Sequence, residues 1–367
     1  MKNSLHCVQN HRFCLFIIKK TLAFSILIGI LVSFNCHAQA PFITKWKTDN
    51  RGTSNSTSIT IPTTGGTDYN YDVDWNNDGT FEEIGLTGNI THNYGTAGTY
   101  TVAIRGSFPR IYFNGMGGPL GPRGDEEKIV SIEQWGDIAW TSMASAFAGC
   151  TNLAGNASDV PNLSGVTDMS FMFQEARAFN QNIGNWNVSA VTNMYGMFYG
   201  ARAFNQNIGN WNVSAVTNMD AMFLVATAFN QNIGNWDVRA VTNMYGMFAN
   251  ATAFNQNIGA WNIANATNML SIFYNSGIST TNYDNILIAW NNAGYTNKNL
   301  GNAWPLTYCA GQAARTNMTN NKGWAITGDA NVKPSAPTIT LTTASSVCSP
   351  ATLKLSASGC EIGRAHV

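Results

Sequence analysis

Apolar residues recur along this chain with a period of 25. Phe179, Phe204, Phe229 and Phe254 mark it, as do Trp186, Trp211, Trp236 and Trp261. Within one unit the apolar positions are Phe179, Ile183, Trp186, Val188, Val191, Met194, Met197 and Phe198. The spacing Ile183-x-x-Trp186-x-Val188 predicts a short strand. Met194, Met197 and Phe198 stand at i, i+3 and i+4, which predicts one face of a short helix over 192–199 with Thr192 or Asn193 as its N-cap. A unit this small cannot bury its apolar side alone, so copies must stack. The expected architecture over 128–274 is an α/β solenoid with one short strand and one short helix per 25-residue turn. It begins in degenerate form: Ile132 and Trp135 precede Ile183 and Trp186 by 51 residues, and Met143 and Phe147 precede Met194 and Phe198 by the same interval.

The pattern differs on either side. Between 41 and 112, ITKW, SITIP, YNYDVDW, NITHNY and TYTVAIRG alternate β-branched or aromatic with polar residues, and Gly or Asn clusters separate them. This predicts a small all-β sandwich. The residues YDVDWNNDG at 71–79 and THNYGTAGTYTVAIRG at 91–106 resemble a PKD-type Ig-like domain, with Trp75, Asp78-Gly79, His92, Tyr94, Gly98, Tyr100 and Val102 at the pattern's positions. Such a domain either stands alone or docks as a cap on the repeats. After Phe273 the period decays. Tyr283, Ile286, Leu287 and Trp290 predict an amphipathic helix and Cys309 to Asn320 a second, so 275–332 reads as a terminal cap. Lys333-Pro-Ser-Ala-Pro337 predicts a linker, and 338–360 resembles the opening of another Ig-like module. Residues 361–367 (EIGRAHV) are expected to be an artefact, since IGRAHV is the codon-by-codon translation of a common sequencing adapter.

The repeat itself, F-N-Q-x-I-x-x-W-x-V-x-x-V-T-x-M-x-x-M-F, resembles the BspA-like family of leucine-rich-repeat surface proteins of bacteria. Ala146-Phe147-Ala148-Gly149-Cys150 reproduces that family's A-F-x-x-C ending. Two departures stand out. Val191 and its equivalents replace the usual Asn, and Trp replaces Leu in the strand, so ligands of other leucine-rich repeats are not carried over.

Charge narrows the functional classes. Charged residues make up 11% of 367 and the net charge is zero. No basic stripe is available to neutralise phosphates, which argues against nucleic-acid binding. At the N-terminus, Lys19-Lys20, an apolar run from Leu22 to Phe34 and Ala38-Gln39-Ala40 predict a signal peptide over 1–38, leaving no membrane span in the mature chain. Cys7, Cys14 and Cys36 would leave with it. Cys348 and Cys360 are expected to form a local disulfide, and Cys150 and Cys309 to stay unpaired and buried.

Candidate chemistry is sparse. Asp74-x-Asn76-x-Asp78-Gly79 fits the first half of a calcium loop, but position 12 falls on Gly85 instead of Glu. Either Ca²⁺ or a solvated acidic turn accounts for it. Of five His, only His92 lies inside the mature native chain, and no nucleophile elbow, P-loop or HExxH occurs, so no enzyme and no other cofactor is expected. The repeated Trp, Met and Phe side chains are expected in the core. The expected ligand face is the outward side of the predicted strands. Its residues are Asn185, Asn187 and Ser189; Asn210, Asn212 and Ser214; Asn235, Asp237 and Arg239; and Asn262. Their side chains are expected to form amide ladders, with Asp237 and Arg239 marking the most distinctive unit. Two functions fit this sequence. One is a non-enzymatic exported surface protein mediating adhesion or protein–protein contact with proteins or surface glycans of host or neighbouring cells. The other is a carbohydrate-binding accessory region of a larger secreted enzyme.

Overall fold

The computed structural model describes residues 39–113 and 124–332. The expected signal segment, most of the 114–124 loop and everything after Val332, including Cys348 and Cys360, lie outside the described residues.

The first part is β-structure. Strands β1 (Phe42–Lys47), β2 (Ser58–Ile61), β3 (Asn70–Asp74), β4 (Glu83–Leu86), β5 (Ile90–Asn93), β6 (Thr99–Ser107), β7 (Ile129–Gln134) and β8 (Ala154–Gly155) succeed one another along the chain. Six of them form one sheet, β4-β3-β6-β1-β7-β8, and β2 pairs with β5 in a separate two-stranded sheet. Alternation decides the faces. Phe42, Thr44 and Trp46 of β1 are buried, while the intervening Ile43, Lys45 and Lys47 are not. β1 pairs antiparallel with both β6 and β7, so the sheet runs without a break into the first repeat. A buried clip reinforces this junction. Lys128 Nζ, fully buried, donates to the carbonyls of Ser54, Asn55 and Ser58 at 2.8–3.0 Å, with the Asp125 carboxylate at 3.8 Å.

The repeat array departs from the expected α/β solenoid. The described residues contain two α-helices, α1 (Thr280–Asn292) and α2 (Gln312–Asn321), and both come after the repeats. The segment 192–199, expected to be helical, is a string of turns that carries a parallel backbone ladder instead. An α-helix keeps every N–H within the segment. Here alternate groups leave it: the N–H of Met194, Gly196, Phe198 and Gly200 donate to the carbonyls of Asn218, Asp220, Met222 and Leu224 in the next unit. The N–H groups of Met197, Tyr199 and Ala201 close i to i+3 turns, and Tyr195 N–H donates to Asn193 Oδ1. This backbone requires positive φ at two places per unit, Gly196 (56°) and Gly200 (69°) in one copy and Ala221 (50°) and Val225 (60°) in the next. A helix of L-residues cannot adopt that pattern. The expected strand at 183–188 is also absent, because Trp186 N–H bonds back to Ile183 O, closing a turn.

Stacking nonetheless proceeds in 25-residue register. Single parallel bridges link Asp168, Asn193, Asn218, Asn243 and Asn268 in succession. The array is thus β-like in its hydrogen bonding, in a chain dominated by β-structure. Its core is as the periodicity predicts: Phe179, Ile183, Val191, Met194, Met197 and Phe198 are fully buried and Trp186, Trp211 and Trp236 nearly so. Three indoles find a partner in the preceding unit, Trp211 Nε1 donating to Ile183 O, Trp236 to Ile208 O and Trp261 to Ile233 O at 3.0–3.1 Å. Equivalent rings lie 5.6–6.5 Å apart in the Phe198 column, 6.0–6.2 Å in the Phe204 column and 6.4 Å between Trp236 and Trp261. Hydrogen-bonded rows sit about 4.8 Å apart, so the units fan out from the ladder toward the tryptophans.

At the far end α1 buries Tyr283, Ile286, Leu287 and Trp290 over the last unit, with Ser279 as its N-cap. β9 (Asn299–Asn302) continues the ladder: Ser271 N–H donates to Leu300 O and Asn275 N–H to Trp304 O. β10 (Thr307–Tyr308), β11 (Ala325–Thr327) and β12 (Ala330–Asn331) complete the end, β11 pairing parallel with β9 and β12 with β10. Cys309 does not stay free. It is disulfide-bonded and only half-buried, and its partner lies outside the described residues, whereas Cys150 is free and buried as expected.

Candidate functional site

The residues expected to form the ligand face are exposed, with Asp237 half-buried, but their side chains do not form ladders. Asn187 Oδ1 accepts from Ser189 N and Oγ of its own unit, and Asn212 does the same with Ser214. Asn262 caps Ala264 N. Asp237 and Arg239 form a local ion pair at 2.6 Å, which holds the aspartate below the usual carboxylate range. These are Asx turns, in which each side chain is occupied by its own backbone two residues on. Asn185, Asn210 and Asn235 lie beside them, exposed.

The amide ladder of this protein is elsewhere, in the F-N-Q motif. Asn180 Oδ1 accepts from Asn205 N, Asn205 Oδ1 from Asn230 N and Asn230 Oδ1 from Asn255 N, each at 2.9 Å. Asn255 Oδ1 passes the register to Ser279 N at the start of α1. These amides satisfy backbone groups between units and are structural.

The backbone ladder carries a surface of different character. Its inward residues are the buried Met and Phe side chains, and its outward residues fall in two columns. Registered by the bonds Phe171 N to Tyr195 O, Gly196 N to Asp220 O, Ala221 N to Tyr245 O and Gly246 N to Leu270 O, the first column reads Ser170, Tyr195, Asp220, Tyr245, Leu270. The second, registered by the N–H of Glu175, Gly200, Val225, Asn250 and Asn275, reads Tyr199, Leu224, Ala249, Tyr274, Trp304, with Ala249 buried. Tyr245 is 42% exposed, Leu270 38% and Trp304 51%, among the largest exposed apolar groups of the described residues. Tyr195 packs on Phe171 with ring centroids 4.3 Å apart, and Tyr274 lies 6.1 Å from Trp304. Asp220 is the one charged residue in the four ladder segments 193–200, 218–225, 243–250 and 268–275. Partial burial raises its carboxyl pKa above the ordinary value, and Asn243 Nδ2 donates to it at 3.0 Å. Burial, Asp220 and Tyr199 together raise the Tyr195 hydroxyl. Tyr195, Tyr245 and Trp304 were not among the expected site residues. The signal for them was the glycine pair Gly196 and Gly200, which disfavours a helix and so frees Tyr195 and Tyr199 to face outward.

The acidic turn after β3 brings Asp74, Asp78 and Glu82 together, their carboxylate oxygens within 4.8 Å of one another. Glu82, not the residue at position 12, completes this group. Asp74 Oδ1 accepts from Asn76 N and Asp78 N, and Oδ2 accepts from Gly79 N. Asn76 Nδ2 donates to Asp78 Oδ2. Three hard oxygen donors around a Gly turn suit Ca²⁺ in chemistry, while the same bonds hold the turn without it. His92 stacks on Trp75 at 4.6 Å, and burial lowers its pKa.

Comparison with known families places the array. Residues 125–224 and 206–300 match the family model described as Mycoplasma protein of unknown function, DUF285. At a coarse level the match supports the likeness of these repeats to BspA-like surface repeats. Neither the curated proteins nor the solved structures include a match to this chain. Among the described residues no helix is long and apolar enough to cross a membrane.

Proposed function

We propose that this chain is a non-enzymatic binding protein that acts outside the cell, and that the outward side of the backbone ladder is its adhesive surface. The carrying observation is the pair of columns that holds Tyr195, Tyr245, Tyr274 and Trp304 on one side of the array. Single exposed apolar residues are ordinary, but aromatic side chains aligned on one face are the groups enriched at binding surfaces. The extracellular setting draws on the expected signal peptide over 1–38 and on the likeness to BspA-like repeats. In this reading the β-structure at 42–107, similar in sequence to a PKD-type domain, is a spacer and cap, and the array presents the contact.

The test is binding of the fluorescently labelled full chain to intact bacterial and animal cells, read by flow cytometry. Tyr245→Ala and Trp304→Ala should abolish binding, while Asn187→Ala and Asn212→Ala leave it unchanged. Equal binding by all four variants, or no binding by the wild type, overturns the proposal.

A further inference from the structure

We infer that the ladder face binds a neutral, linear pyranose glycan running along the array, with Tyr195 and Tyr245 stacking on alternate sugars. This rests on the reading that the outward ladder face is the binding surface, and it names the ligand class. Three observations point to it.

The first is spacing. Tyr195 and Tyr245 occupy the same column two rows apart, because Gly196 N bonds Asp220 O and Ala221 N bonds Tyr245 O. At the row spacing of a hydrogen-bonded ladder this separation is about 10 Å, the advance of two linked pyranose rings. A linear glycan laid in this direction presents the apolar C–H face of every second ring to a tyrosine. Between the two rings stands Asp220, a carboxylate able to accept from the hydroxyls of the intervening sugar. The second is charge. The four ladder segments from 193 to 275 carry no Lys or Arg, and the row before them, 168–175, holds Glu175 in an ion pair with Arg177 at 2.8 Å. Protein interfaces are typically enriched in Arg beside their aromatic anchors, and sulfated or uronic glycans require cations. Over 193–275 a face of tyrosines, leucines and amides with one carboxylate, and Trp304 at its end, fits a neutral polyhydroxylated chain instead. The third is the end of the second column. Trp304 is half exposed beside Tyr274, and Asn275 Nδ2 donates to Asn250 Oδ1 at 2.9 Å one row back. An aromatic platform flanked by amides suits a ring to stack on and hydroxyls to bond.

The measurement is isothermal titration of the full chain with neutral gluco- and manno-oligosaccharides of increasing length, together with affinity electrophoresis in gels containing the parent polysaccharides. Because the two tyrosines contact alternate sugars, a disaccharide cannot reach both. Hexasaccharides should therefore bind about three- to tenfold more tightly than disaccharides, the step that a second ring contact supplies. Tyr245→Ala should remove that gain. Tyr245→Phe should keep it, because the ring and not its hydroxyl makes the contact. Circular dichroism of each variant checks that the array is intact, and Asn212→Ala serves as the control outside the face. If no neutral oligosaccharide binds but Tyr245→Ala still abolishes cell binding, the glycan inference falls and the adhesive face stands. If oligosaccharides bind without length dependence, or bind equally to Tyr245→Ala, the register argument falls. If Tyr245→Ala alters neither oligosaccharide nor cell binding, both readings fall.

Discussion

Replacing Gly246 by alanine separates the turn ladder from a helix by the sign of its effect on stability. Gly246 has φ +55°, and a Cβ built on it would approach nothing nearer than Ala249 Cβ at 3.9 Å. The substitution is thus sterically free and its cost is conformational. Left-handed backbone costs an L-residue about 1–2 kcal/mol, and alanine's smaller unfolded-state entropy offsets about 0.4–1 kcal/mol. The expected result is a loss of about 0.5–1 kcal/mol. Gly196→Ala shares the conformational cost, at φ +56°, but its Cβ would lie 2.6 Å from Phe171 Cδ1 and Cε1. Overpacking adds about 1–3 kcal/mol where the neighbour cannot yield. Half-buried Phe171 can give way in part, so this variant should fall below Gly246→Ala but short of the full sum. The assay is urea unfolding monitored by tryptophan fluorescence, with midpoint and slope fitted together. Were 243–250 helical, Gly246→Ala would gain about 0.8–1.0 kcal/mol. A gain in stability therefore refutes the ladder.

Two further outcomes test other parts of the molecule. Asp74→Ala strips the acceptor from the N–H groups of Asn76 and Gly79, while Asp78 N–H keeps Asn76 Oδ1, and should cost about 1–2 kcal/mol in thermal unfolding. Millimolar calcium that raises the wild-type melting temperature but not that of Asp78→Ala establishes a metal site at Asp74, Asp78 and Glu82, and an unchanged wild type assigns the group to a solvated turn. Asp220 has a raised carboxyl pKa, caused mainly by burial. The folded chain then holds this proton more tightly than the unfolded chain, so its contribution is present in acid and lost as pH rises through the folded pKa. Asp220→Asn should melt above the wild type at neutral pH, with the gap closing below the ordinary carboxylate range. A gap that persists in acid contradicts the assignment.

The period, the buried set and the first terminal helix were legible in the residues. Apolar positions every 25 residues force stacking, and Ile183, Trp186, Met194 and Phe198 are buried because no other arrangement hides them. Tyr283, Ile286, Leu287 and Trp290 marked α1 for the same reason. Local spacing could not say how the backbone satisfies its own hydrogen bonds. The i, i+3, i+4 spacing of Met194, Met197 and Phe198 suits both a helix and a chain of turns, since either puts those three on one side. The choice fell to the neighbouring unit, whose carbonyls at Asn218, Asp220 and Met222 accept alternate N–H groups that a helix would have kept. That choice also fixed the surface. It spent Asn187 and Asn212 on local turns, spent Asn180, Asn205 and Asn230 on joining units, and left Tyr245 and Trp304 exposed with Tyr195 half-buried beside Phe171. Sequence set which residues must be inside, because burial depends on composition and period. Only the packed array set which face is free to bind, because that depends on where each row's backbone groups find their partners.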